Sequence, residues 1–191
     1  MKKLLFFALI ALLGFSASAE LPARVKEAAK SVNSTPTLRV EFKVNGRPGR
    51  MLLGDGGKFA LDLGDARVYY DGTTQWAYSV PDKEVSIINP TADELAAGNP
   101  AAILSTLGTA FSGVRLKGET YRLMPLSGIS DISEVTVSFP GTGVWPQSMT
   151  IVAGAGTLSV ADMKFTPGKT KSPLSAFQLK VPKGVTVTDL R

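Results

Sequence analysis

Residues 37–46 read TLRVEFKVNG. Leu38, Val40, Phe42 and Val44 alternate with Arg39, Glu41 and Lys43. A period of two that sends apolar side chains one way and charged ones the other marks a half-buried antiparallel strand. Asn45-Gly46 then supplies the residue pair best suited to the left-handed conformations of a tight hairpin turn. The strand therefore folds straight back, and the residues that follow decide whether one hairpin or a long meander forms.

They point to a meander. Strand-like runs recur at 50–53, 58–63, 67–70, 74–80 and 84–88, punctuated by Asp55-Gly56-Gly57, Asp71-Gly72 and Pro81-Asp82. Turn chemistry accounts for these carboxylates, so no catalytic role is assigned to them. The same rhythm returns at 114–117, 121–126, 134–139, 147–152 and 157–165, with a closing strand over 176–181.

Two stretches break the period. Residues 21–33 carry Leu21, Val25, Ala28, Ala29 and Val32 on one helical face. In the middle of the chain, TADELAAG (91–98) has Thr91 as N-cap and Glu94 three residues on, a capping box. NPAAILSTLGTAF (99–111) follows, with Ile103, Leu104, Leu107 and Phe111 at helical spacing. A long single meander curls. The expected architecture is therefore mainly β with α: a strongly curved antiparallel half-barrel of about eleven strands, covered by a helical lid.

The start of the chain reads as a secretory signal peptide. Lys2 and Lys3 precede an apolar run over 4–13, and Ala17-Ser18-Ala19 offers small residues for cleavage before Glu20. Residues 20–191 then form one domain exported to the periplasm. The chain has no cysteine and no histidine. Histidine-based acid–base catalysis, triads containing histidine and histidine-ligated metals are excluded. The expectation is a monomer without enzymatic activity, catalytic residues, cofactor or metal. The formal net charge of +5 is not gathered into a run, so no nucleic-acid surface is expected.

Trp76 and Tyr78 lie two apart in DGTTQWAYSVPDKEVSI (71–87), in step with Val80. Read from the residues alone, they either fill a core or line a greasy concave wall with Phe42, Phe59 and Leu61. Leu95, Ile103, Leu104, Leu107 and Phe111 carry a parallel choice. They pack on the sheet permanently, or only until something displaces them.

In this order these pieces resemble the periplasmic outer-membrane lipoprotein carrier family, the LolA-like proteins. The resemblance rests on the signal and short N-terminal helix, the alternating strand, the KFAL entry, the DGTTQWAY hairpin with its return EVSI, NPAAILSTL, and AFQLKVPKGVTVTDL. It implies a half-barrel whose hollow shelters lipoprotein acyl chains. Cargo would come from an inner-membrane ABC release complex and pass to an outer-membrane acceptor. It makes Phe42, Phe59, Leu61, Trp76, Tyr78 and Val80 the cavity wall, and the five mid-chain apolar residues the lid. The alternative on the same fold is a periplasmic module that senses lipids or lipoproteins. Carriers of this family lock the lid with an arginine. Here Asp55 falls near that place, and Lys58, Arg47 or Arg50 is the substitute.

Overall fold

The computed structural model describes residues 20–91, 94–95, 100–126 and 131–191. The expected signal segment and most of 92–99 lie outside the described residues. Strand β1 (Thr37–Val44) shows the burial its sequence dictates: Leu38, Val40 and Phe42 are buried, while Arg39, Glu41 and Lys43 are exposed. Asn45 and Gly46 both adopt positive φ, +47° and +83°. These angles match the right-handed twist of the flanking strands and return the chain as β2 (Arg47–Gly54).

The meander continues through β3 (Phe59–Asp62), β4 (Ala66–Tyr70), β5 (Gln75–Ser79) and β6 (Glu84–Ile88). After the mid-chain helix come β7 (Phe111–Arg115), β8 (Thr120–Pro125), β9 (Ile132–Ser138), β10 (Ser148–Ala153) and β11 (Gly156–Gly168). A twelfth strand, β12 (Thr186–Asp189), closes the chain. All twelve form one sheet in the order β12-β6-β5-β4-β3-β2-β1-β11-β10-β9-β8-β7. The two halves of the meander thus join through β1 and β11. The sheet curves into a half-barrel without closing, so β12 and β7 remain edges.

Two expectations are corrected. The sheet is mixed, because β12 runs parallel to β6, with Val187 opposite Val85. Residues 176–181 form no strand. Leu174–Phe177 is a 3-10 turn, and the segment after it crosses the sheet instead of lying beside a strand. The free edge of β6 is taken by Thr186–Asp189, which leaves 176–181 without a ladder to join.

Helix α1 (Ala23–Ser34) buries Val25, Ala28, Ala29 and Val32, the face marked by its spacing. The expected capping box is present: the Thr91 N–H donates to Glu94 Oε2 at 2.7 Å, and the Glu94 N–H to Thr91 Oγ1 at 3.3 Å. Helix α2 (Pro100–Thr106) then ends sooner than its sequence suggests. The N–H groups of Thr109 and Ala110 both bond the Thr106 carbonyl, and Phe111 opens β7 opposite Pro125. Phe111 therefore belongs to the sheet and not to the lid. It is 3% exposed on the same inner surface, which is why the helical period ran through it.

Candidate functional site

The inner face of the half-barrel is built by strand parity. Leu38, Val40 and Phe42 of β1 stand beside Leu53 and Met51 of β2, and these beside Phe59 and Leu61 of β3. On the other half, Met149 and Ile151 of β10 align with Val137 and Val135 of β9, then with Tyr121 and Leu123 of β8. All of these residues join α1 and α2 in a single apolar cluster. The hollow is filled by the protein's own side chains: Ile103 is 1% exposed, and Leu104 and Leu107 are fully buried. Leu95 packs on the cluster half-buried.

Helix α2 is a short cover. It has seven residues and lies against α1, where a Cβ on Gly108 would stand 3.1 Å from that of Ala29. Small residues on α1 allow this close approach. Beyond β3 the inner face continues uncovered as a trough of about 290 Å³ over β4–β6, floored by Val68, Ala77 and Ser86 with Ala66, Ser79 and Glu84 along one side. Val68 and Tyr70 pack against the filled part, so trough and hollow are continuous.

The six expected wall residues do not share one wall. Phe42, Phe59 and Leu61 line the hollow. Trp76 and Tyr78 pair with Tyr69 and Arg67, while the inner rows run Phe59–Tyr70–Gln75 and Leu61–Val68–Ala77. Trp76, Tyr78 and Val80 therefore point to the outer face. There they form a second cluster with Val85 and Ile87, covered by Leu179 and Val185. The cause is register. With a period of two, one residue more or less in the turns between Leu61 and Trp76 exchanges the faces.

The covering residues belong to a C-terminal strap, residues 169–185, that crosses the outer face. The Ser172 N–H donates to Thr37 Oγ1 at 2.9 Å. Phe177 is 1% exposed above Gly54. Gln178 Nε2 donates to Asp71 Oδ2 at 2.8 Å.

None of the expected substitutes for a lid-locking arginine meets α2. Lys58 Nζ bonds the carbonyl and Oδ1 of Asp55 at 2.9 and 3.1 Å, and Lys171 approaches Asp55 Oδ2 at 2.8 Å. Both lysines hold the Asp55 carboxyl below its ordinary range. Arg47 pairs with Asp65 and Arg50 with Asp62. The cation that ties a helix over the hollow is Arg24 of α1. Its Nη2 donates to the carbonyls of Pro140 at 3.1 Å and Gly143 at 2.5 Å. Its Nη1 lies 3.9 Å from Glu119, and its guanidinium sits 5.3 Å above the centre of the Phe139 ring. Its buried Nε has no hydrogen-bond partner among the described residues. The sequence signal was present: Arg24 stands three residues after Leu21 and four before Ala28, on the apolar face of the helix. The same loop carries Trp145, stacked on Phe165 with centroids 5.0 Å apart.

A larger groove of about 910 Å³ lies on the outer face at the ends of β1–β3, β10 and β11. Glu41, Lys43, Arg50, Asp62, Asp162 and Lys164 line it, with Lys43 and Asp162 paired at 2.8 Å. Phe42, Pro48 and Met163 also line it, so the groove is amphipathic, unlike the apolar cluster of the hollow.

No protein-family model and no curated protein matches the chain. Solved structures do match. An uncharacterized conserved protein from Thermus thermophilus is 12% identical with a TM-score of 0.51, over 87% of this chain and 97% of that one. A domain proposed to belong to an outer membrane lipoprotein-sorting protein of Vibrio parahaemolyticus is 12% identical with a TM-score of 0.38, over 80% of this chain and 95% of that one. LprF from Mycobacterium bovis is 11% identical with a TM-score of 0.34, over 85% and 95%. The likeness to the Thermus protein is one of fold.

Proposed function

We propose that the protein binds the acyl chains of lipoproteins in the hollow of its half-barrel and carries them through the periplasm. Cargo would be received from an inner-membrane ABC release complex and delivered to an outer-membrane acceptor, as the resemblance to LolA-like carriers implies. The signal-like start of the chain supports export. Among the described residues, no helix is long and apolar enough to cross a membrane. The role involves no catalytic step.

One observation carries this reading. Ile103 and Leu104 of a seven-residue helix, with Leu107 just beyond it, fill an apolar hollow that a ligand could fill in their place. Burying three side chains of this size stabilises by roughly 5–9 kcal/mol. A long acyl chain gains about 0.8 kcal/mol per buried CH₂, roughly 10 kcal/mol in all. The two quantities are of the same order. Exchanging α2 for an acyl chain therefore leaves a modest net affinity, which a carrier needs for release. The uncovered trough over β4–β6 gives a chain a place to lie before α2 moves.

A diacylated lipopeptide tests the proposal. Native mass spectrometry should show one lipopeptide bound, and hydrogen exchange should rise in 100–107 on binding. Absence of binding, or binding that leaves those amides protected, would overturn it. Hand-off to outer-membrane vesicles separates a carrier from a lipoprotein sensor, since a sensor retains its ligand.

A further inference from the structure

Residues 163–188 read MKFTPGKTKSPLSAFQLKVPKGVTVT. This stretch holds five lysines, Lys164, Lys169, Lys171, Lys180 and Lys183, and no acidic residue. Residues 20–191 carry a formal charge of +3 once Lys2 and Lys3 are set aside. The rest of the domain is thus net negative, and its positive excess is confined to this one segment. The sequence spaces these lysines too widely to read as a basic run. The fold gathers them on one side.

The strap is fastened along its underside. Ser172, Phe177, Gln178, Leu179 and Val185 face the sheet, through the Thr37 hydroxyl, Gly54, Asp71 and the Trp76 cluster. What remains projects outward. Lys169, Lys180 and Lys183 are exposed, as are Leu174 at 50% and Val181 at 40%. Lys171 is paired with Asp55, but the other three make no ion pair among the described residues. On the neighbouring outer surface Asp65, Asp62 and Asp162 are already paired with Arg47, Arg50 and Lys43, and Asp71 is bonded by Gln178.

We infer that the outward side of the strap docks the protein on an anionic phospholipid bilayer. Two features select that occupant. Unpaired lysines are mobile point charges without the planar fork that recognises one carboxylate, which suits a diffuse sheet of headgroup charge. Leu174 and Val181 stand among them, able to enter the boundary between headgroups and acyl chains. Lysines near an anionic leaflet attract it additively, and the attraction fades within a Debye length. The hollow lies on the other face of the sheet, so docking does not require it to be filled.

Co-sedimentation with vesicles tests this directly. The protein should bind phosphatidylglycerol–phosphatidylcholine vesicles and not pure phosphatidylcholine, and should be released when NaCl is raised to about 0.5 M. The triple variant Lys169→Glu, Lys180→Glu, Lys183→Glu should bind at least about tenfold more weakly. Leu174→Ser with Val181→Ser should weaken binding severalfold. All five positions are exposed, so melting temperatures should stay near that of the wild type. The salt and lipid dependence of the wild-type protein stands without any variant. Equal binding to both vesicle types, or full binding by the triple variant, would overturn the inference. So would no binding to either, the outcome expected if the strap receives an acidic protein.

Discussion

The ring of Phe177 lies directly over Gly54, so close that a Cβ at position 54 would fall 2.4 Å from Cζ. A glycine at the end of β2 is thus the socket for the most deeply buried side chain of the strap. Gly54→Ala should force the ring out of place and destabilise the protein by about 1–3 kcal/mol. Phe177→Ala should cost about 3–5 kcal/mol. The two should be strongly non-additive in denaturant melts, because they remove the same contact.

Trp76 and Leu104 sit on opposite faces of the sheet, and their variants should differ accordingly. Trp76→Ala loosens the cover formed by Leu179 and Val185. Proteolysis within the strap should accelerate while lipopeptide affinity holds. Leu104→Ser weakens the hold of α2 on the hollow. Lipopeptide should then be retained longer and handed to acceptor vesicles more slowly. Faster hand-off with weaker binding would mean that Leu104 holds the ligand itself.

Arg24 fixes α1 to the loop after β9 through the Pro140 and Gly143 carbonyls. Arg24→Ala should destabilise by about 1.5–3 kcal/mol, the usual effect of losing hydrogen bonds to a charged group. Hydrogen exchange should rise first in α1, ahead of β1. If carriage depends on the helices lifting, lipopeptide uptake by this variant should also be faster.

Acid should free the strap. Asp55 titrates below its ordinary value because Lys171 and Lys58 donate to it. For Asp71, burial pushes upward, but hydrogen bonds from Gln178 and the Thr74 and Thr73 N–H groups outweigh it. A carboxyl lowered in the folded state stabilises that state above its unfolded value of 3.8, and the contribution is lost as pH falls through the lower folded value. Cleavage of residues 169–185 by an acid-active protease should therefore rise steeply below about pH 3.8. Asp55→Asn and Asp71→Asn together should produce the same exposure at neutral pH.

Much of the fold was legible because its signals are local. The alternation of Leu38, Val40 and Phe42, the Asn45-Gly46 turn, the apolar face of α1 and the Thr91–Glu94 box each depend on residues within a few positions of one another. Local sterics and hydrogen bonding decide them wherever the segment lies. The helical spacing of Ile103, Leu104 and Leu107 was legible for the same reason, and all three are buried in the apolar cluster. Tertiary structure alone decided the face on which Trp76, Tyr78 and Val80 lie, because parity across several hairpins depends on every intervening turn. It also decided that Thr186–Asp189 takes the free edge of β6 in parallel while 176–181 crosses the sheet. Pairing of that kind is a competition between distant segments for one set of backbone groups, and no pattern within either segment records which one wins.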